Sequence, residues 1–261
     1  MALDAQAKAQ QLYQARKDRT PIPPFTDTDP ELGMAEGYAI QQELVKLLLA
    51  DGDDRIAGYK VGATSKAAQQ MFGLYEPDLG PVLASTVYAD GARVSVGEFI
   101  APKLEAEIVF VLGGRLAGPG VTAEDVRAAV TGVGAAVEIV DSRIKDWRIK
   151  LADTIADLAS NGAVATSGNL VPLSEIDPRL TGMLLHRNGE LIDMGVGAAA
   201  LGNPVEVVAW LANRLGDMGG ALEPGHLIMT GSLHAPVPMR PGDVFVAEFD
   251  RLGTITVNVV P

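Results

Sequence analysis

Apolar residues recur at helical spacing over roughly the first fifty positions, then give way to short Val- and Ile-rich runs. Ala5, Ala9 and Leu12 share one face of a first helix. Asp29-Pro30 has the N-cap and first-turn chemistry to start a second, in which Met34, Tyr38, Val45 and Leu48 form an apolar stripe. Between them, Pro21-Ile-Pro-Pro24 predicts an extended connector. From Ala57 the runs are broken by Gly, Pro and Asp, which predicts strands over 58–62, 82–88, 103–112, 134–140, 162–166, 182–187, 190–195, 226–230, 243–250 and 254–260. Asn188-Gly189 marks a hairpin, and Pro241-Gly242-Asp243 a turn into the penultimate strand. A later helix is predicted from Asn203, with Pro204 in its first turn, Glu206 completing a capping box, and Val205, Val208, Ala212 and Leu215 on its buried face.

The pattern predicts an α+β fold: N-terminal helices and one crossover helix around a mainly antiparallel, closed or rolled sheet. It divides the chain into an N-terminal helical region, 1–56, and a β-rich domain, 57–261. There is no internal repeat and no low-complexity linker. Composition narrows the function. With 48% hydrophobic and 21% charged residues among 261, the chain reads as soluble and globular. A formal charge of −12 without a Lys/Arg cluster argues against nucleic acid as partner. No run reaches the roughly 18 apolar residues of a membrane span, and Met1 to Thr20 has no apolar signal core, so the cytoplasm is the expected location. Cysteine is absent, which removes disulfides and thiolate-bound metals.

Against this background, Leu104-Glu-Ala-Glu-Ile-Val-Phe-Val-Leu112 is unusual. Side chains two apart on a strand point to one face, so Glu105 and Glu107 project together. A third carboxylate, Glu138, lies in the apolar run Ala135-Ala-Val-Glu-Ile-Val140. Unpaired charges in such segments are costly. The three either pair with Lys or Arg, lie on a solvated face, or hold a hard divalent cation such as Mg²⁺ or Mn²⁺ through oxygen. Lys60, between Gly58 and Gly62, is first read as an ion-pair partner for carboxylates, with an acid/base role as the alternative. Asp78 sits in a turn, Tyr75-Glu-Pro-Asp-Leu-Gly80, where Asp commonly bonds its own loop. Arg143, Lys145, Arg148 and Lys150 follow the Glu138 strand and face either an anionic substrate or solvent. Ser160 and Asn161 either touch a ligand or cap a turn. His186, His226 and His234 lack metal-ligand spacing, and only His234, in a loop after a strand, is a site candidate.

In order, Gly58-Tyr-Lys-Val-Gly-Ala-Thr-Ser-Lys66, Glu76-Pro-Asp-Leu-Gly80, Leu104-Glu-Ala-Glu-Ile108, Val137-Glu-Ile-Val-Asp-Ser-Arg-Ile-Lys-Asp-Trp147 and Asp153-Thr-Ile-Ala-Asp157 resemble the 2-oxopent-4-enoate (2-hydroxypenta-2,4-dienoate) hydratases of the fumarylacetoacetate hydrolase superfamily. The resemblance runs on through Leu201-Gly-Asn-Pro204, Ile228-Met-Thr-Gly-Ser232 and Pro241-Gly-Asp243, and so covers nearly the whole chain. It implies the superfamily's mixed β roll with a small N-terminal helical region, a homo-oligomer, and Mg²⁺ or Mn²⁺ held by Glu105, Glu107 and Glu138. It implies that Lys60 and Asp78 act on the substrate and that Ser160 lines its pocket, with Asn161, Leu158 and Arg143 as further residues expected to bind the substrate. One position departs: Leu158 stands where the family usually has Asn, so a polar contact is lost or a pocket wall has become apolar.

The expected reaction is addition of water to a small 2-oxo or 2-hydroxy dienoic acid in aromatic meta-cleavage catabolism, with association with a neighbouring pathway enzyme as a further expectation. Three alternatives stay open: a 4-oxalocrotonate (2-oxo-3-hexenedioate) decarboxylase, an acylpyruvate-type C–C hydrolase using His234 as base, and a non-catalytic partner that shapes an oligomer. Metal uptake separates the last from the others, because a scaffold has no use for three clustered acids.

Overall fold

A computed structural model describes residues 4–66, 69 and 76–261; Tyr75, at the head of the predicted turn, lies outside the described residues. Its helices are α1 (Ala5–Asp18), the single turn α2 (Phe25–Thr28), α3 (Met34–Ala50), α4 (Ala123–Ala129), α5 (Leu151–Ala156) and α6 (Pro204–Asp217). Its strands are β1 (Ile56–Gly62), β2 (Asp78–Leu83), β3 (Val87–Ala89), β4 (Ala92–Ser95), β5 (Lys103–Leu112), β6 (Val130–Val140), β7 (Asn161–Thr166), β8 (Gly182–Arg187), β9 (Glu190–Val196), β10 (Leu227–Met229), β11 (Val237–Pro238), β12 (Val244–Phe249) and β13 (Gly253–Val260).

The larger sheet runs β2-β1-β10-β5-β6-β7-β3, with β11 added to β5, and the smaller runs β4-β13-β12-β8-β9. Three pairings are parallel (β1 with β10, β3 with β7, β4 with β13) and the rest antiparallel, so the sheets are mixed. The larger sheet rolls. Val82, Met229, Val109, Ala136 and Val164, one from each of five strands, form a buried cluster inside it. Its two sides meet where Gly80 of β2 passes the 158 turn, so closely that a Cβ there would lie 2.0 Å from the Leu158 carbonyl oxygen. The smaller sheet packs on the outside of the roll, joining Phe245, Ile255 and Val257 to Phe110, Val137 and Ile139 in one core, which α6 covers with Val205, Val208 and Ala212.

The N-terminal helices form a second layer. Ala9 and Leu12 of α1, with Ile40 and Leu44 of α3, pack on Ile144, Ala152, Ala156 and Leu158. The connector between them is extended, as its prolines dictate, with Ile22 bridging to Ile144.

Several boundaries differ from expectation, and β6 begins at Val130, four residues before the predicted start. The second helix starts at Met34 rather than Asp29, because Gly33 caps it and Glu36 accepts from the Gly33 N–H at 3.1 Å. The strand predicted over 82–88 runs instead over Asp78–Leu83, followed by a 3₁₀ turn before β3. Pro81 is accommodated because β2 is an edge strand, where a missing N–H on the outer side costs no ladder bond. Asp78 is therefore the first residue of a strand and not a turn residue. No helix among the described residues is long and apolar enough to cross a membrane.

Candidate active site

The side-chain period of two sorts the inner face of the roll into two zones. Stepping from Val109 by two gives Glu107 and Glu105; from Ala136, Glu138; from Val82, Gly80 and then Asp78. Lys60 is aligned with Met229 in the β1–β10 register. One zone is thus apolar and the other carries Glu105, Glu107, Glu138, Lys60 and Asp78. The second opens into a cavity of about 690 Å³ lined by Lys60, Asp78, Glu105, Glu107 and Ser160 among others.

Antiparallel pairing sets Glu105 directly opposite Glu138, with Glu107 opposite Ala136. One oxygen from each glutamate lies within 4.8 Å of the others. Two of the three are pinned through one oxygen and make no hydrogen bond through the other. Glu107 Oε2 accepts from the Gly231 N–H at 2.8 Å and Glu138 Oε1 from Asn161 Nδ2 at 2.8 Å, while Glu107 Oε1 and Glu138 Oε2 have no hydrogen-bond partner among the described residues. Buried acceptors left this way are costly and point to a missing electrophile. A hard divalent cation fits the donor set, which is all oxygen, anionic and clustered.

Lys60 Nζ lies 3.5 Å from Glu138 Oε2 and donates to the Ala159 carbonyl at 2.8 Å. Its flanking Gly58 serves packing: a Cβ there would fall 1.9 Å from the Leu227 carbonyl oxygen. One ammonium thus faces four carboxylates, including Asp78, whose Oδ1 has no partner among the described residues. Burial and the neighbouring Glu138 charge push Glu105 up to about 7. Burial, Glu138 and Glu105 push Glu107 well above its ordinary value, and burial raises Glu138 and Asp78 against the pull of Lys60. Burial alone would lower Lys60, but Glu138, Asp78, Glu105 and Glu107 outweigh it and hold the ammonium above its ordinary value.

The loop 141–160 shapes the rest. Leu158, Ala159 and Ser160 are all left-handed, with φ of 57, 51 and 58°, a strained run that needs support. Ser160 lines the cavity and shares a 3.0 Å hydrogen bond with Thr154. Arg143, expected at the substrate, is instead buried in the protein. Its Nε bonds Asp157 Oδ1, its Nη2 donates to the Asp157 carbonyl at 2.7 Å and its Nη1 to the Asn161 carbonyl at 3.2 Å. The pull of a buried Asp157 explains the change: a carboxylate with no access to water takes the nearest guanidinium. Leu158 is likewise no pocket wall, because its isobutyl group packs in the N-terminal layer. Asn161 does not line the cavity and orients Glu138. Arg148 pairs with Asp27 at the surface.

His234 borders the cavity with both ring nitrogens engaged: Nε2 accepts from the Ala106 N–H at 2.8 Å and Nδ1 meets the Ala235 carbonyl at 2.6 Å. Burial lowers its pKa, so it is a neutral strut rather than a free base. Sequence reasoning missed Gly231, Lys103, and the pair Tyr38 and Gln41 of α3. Tyr38 accepts the Leu79 N–H at 3.3 Å, and Gln41 donates to the carbonyls of Leu79 at 3.0 Å and Ile155 at 2.7 Å. They lie three residues apart on one helical face, a spacing visible in sequence, but their target becomes apparent only once β2 is known to be an edge.

The profile of the family described as fumarylacetoacetate (FAA) hydrolase C-terminal matches residues 55–260. The chain is 40% identical over 255 residues to a 2-hydroxyhexa-2,4-dienoate hydratase of Comamonas testosteroni, covering 97% of this chain and 96% of that one. It is 40% identical over 247 residues to a 2-keto-4-pentenoate hydratase of Paraburkholderia xenovorans, covering 95% and 91%. Among solved structures, 4-oxalocrotonate decarboxylase from Pseudomonas putida G7, complexed with magnesium and adipate, superposes with a TM-score of 0.95 at 34% identity, over 100% of this chain and 98% of that one.

Proposed function

The chain belongs to the fumarylacetoacetate hydrolase family, and within it we propose a metal-dependent hydratase that adds water to a 2-hydroxy-2,4-dienoate, giving a 4-hydroxy-2-oxoacid in aromatic meta-cleavage catabolism. The observation that carries the reading is the set of three clustered glutamates, two of them with a buried oxygen that has no hydrogen-bond partner among the described residues, at one end of the roll with Lys60 and Asp78. Glu105, Glu107 and Glu138 would hold Mg²⁺ or Mn²⁺. Bound there, the ion supplies Lewis-acid stabilisation of negative charge on the substrate's 2-oxygen.

The chain's own residues handle the protons. The 2-hydroxyl gives up its proton as the 2-oxo group forms and one proton is delivered to C5 of the dienol; the hydroxyl of a water then joins C4 and that water's proton ends on C3, so the net change is one water added. Lys60 stays protonated beside its carboxylates, which makes it a fixed positive charge and donor for the enolate rather than a base. Asp78, with a raised pKa and a free Oδ1, is the group suited to take a proton from water and return it to carbon. Ser160 borders the same space and offers a hydroxyl to the substrate. The reading includes a homo-oligomer acting in the cytoplasm, alongside the pathway enzyme that supplies its unstable dienol.

The decarboxylase remains the second reading, favoured by a fold shared over the full chain. C–C hydrolysis through His234 loses ground because neither ring nitrogen is free. The test is incubation with freshly generated 2-hydroxypenta-2,4-dienoate, with and without Mg²⁺ or Mn²⁺. Metal-dependent loss of dienol absorbance with 4-hydroxy-2-oxopentanoate as product is expected. Release of CO₂ from the hexenedioate with no hydration of the pentadienoate would replace the hydratase by the decarboxylase.

A further inference from the structure

Two lysines line the cavity, and they are not equivalent. Lys60 is held inside by Glu138 and the Ala159 carbonyl. Lys103 forms no ion pair with a carboxylate among the described residues and lies with its ammonium 4.0 Å from the centre of the Trp147 ring. It occupies the same face of β5 as Glu105 and Glu107, one pleat nearer the strand's start, about 7 Å along the strand from Glu105.

The platform under this ammonium is built. Trp147 Nε1 donates to the Ala101 carbonyl at 3.1 Å, which fixes the ring. Asp146 and Trp147 both adopt left-handed φ, 58 and 55°, so the backbone is bent to present the ring face there. An aromatic face holds a lysine while leaving its three donors unpaired. Around it the wall is apolar: Val140, opposite Lys103 in the β5–β6 register, and Ile149. A substrate whose 2-oxo acid head lies at the three glutamates meets one fixed cation in an apolar surround, at the reach of an extended six-carbon chain.

We infer that Lys103, presented on Trp147, is a specificity-determining residue that takes a second, terminal carboxylate, so that the site favours dicarboxylic 2-oxo acids over monocarboxylic ones of equal length. This rests on the head-group reading given above. A new ammonium–carboxylate hydrogen bond in such a place is worth about tenfold to a hundredfold in affinity.

The test is calorimetric titration of the Mg²⁺-loaded protein with 2-oxoadipate and 2-oxohexanoate, which share head and length and differ only at the far end. Wild type is expected to bind the diacid at least about tenfold tighter. Lys103→Met should collapse that ratio to near one through loss of diacid affinity, and Lys103→Arg should keep most of it. Mg²⁺ uptake by each variant reports that it is folded. Equal affinities in wild type, a ratio that survives in Lys103→Met, or a parallel loss of both ligands would each overturn the assignment. In the last case the ammonium holds the shared head. Failure of both acids to bind the loaded wild type would sink the head-group reading itself and this inference with it, whereas tight 2-oxohexanoate binding without diacid preference sinks only the role of Lys103.

Discussion

Replacing one of the three clustered carboxylates should make the metal-free protein more stable while removing its response to metal. Glu105 is the informative choice, because its carboxyl is pushed up to about 7 from an ordinary 4.5 by burial and by Glu138. Each pH unit of that displacement corresponds to about 1.4 kcal/mol, so full ionisation costs the folded state about 3 kcal/mol. The side chain borders the cavity, where water screens part of the field, and about 2 kcal/mol is the working figure. The sign follows from linkage: with the folded pKa above the unfolded one, the folded state binds more protons, and stability is lost as pH rises from about 4.5 through 7. Glu105→Gln keeps the shape and removes the charge. At about pH 8, in chelator, its Tm should exceed wild type by about 4–8 °C, given about 2–4 °C per kcal/mol for a chain near this size. The gap should close towards about pH 5, where wild-type Glu105 carries its proton. Adding Mg²⁺ or Mn²⁺ at a hundred times its Kd should raise wild type by about 2.7 kcal/mol and leave the variant nearly unmoved. Thermal melts over this pH range, with and without metal, decide the matter. A variant less stable than wild type in chelator at high pH, or a difference independent of pH, would refute the picture of a cluster strained for want of a cation.

Lys60→Ala should lower turnover about 10²- to 10⁴-fold without weakening metal uptake, because it removes a positive neighbour from the ligands; steady-state kinetics beside Mn²⁺ binding would show the split. Arg143→Met should cost about 3–5 kcal/mol in denaturant unfolding, since it strands the buried Asp157 carboxylate; a raised KM with unchanged stability would return Arg143 to the substrate. Leu158→Ala should cost about 2–5 kcal/mol through the cavity it leaves under the N-terminal helices, with the order of preference among substrates unchanged; a reordered preference would make Leu158 a pocket wall. Tyr38→Phe strands the Leu79 N–H beside Asp78, at about 1–3 kcal/mol. It should reduce kcat at unchanged metal affinity, whereas a lowered Tm with normal kcat would leave Tyr38 a purely structural contact.

What the sequence disclosed about this site followed from how local each relation is. Glu105 and Glu107 face one way because a strand alternates, and that needs only two residues of spacing. The span of β5 was legible for the same reason, because apolar residues alternate with the two glutamates over 104–108 and continue as an apolar run to Leu112. That Glu138 stands opposite Glu105 rather than one residue off depends on register, which pairing across the sheet fixes and spacing does not. Arg143 shows the limit more sharply. As a cation following a carboxylate strand it reads as an anion receptor, and nothing within a few residues says otherwise. Its partner Asp157 is fourteen residues away and buried by a turn of three left-handed residues that no propensity favours. The strain and the ion pair explain each other. The turn aims the Ala159 carbonyl at Lys60 and brings Ser160 to the cavity, and Arg143 holds Asp157 in place beneath it. The N-terminal helices finish the same task from outside the stretch that the family profile matches, since Tyr38 and Gln41 grip both backbone groups of Leu79 next to Asp78. Asp78 and Lys60 therefore owe their positions to segments with no chemistry of their own. A chain starting near residue 55 would keep all the acids and both lysines, yet leave Leu79 ungripped and Leu158 uncovered.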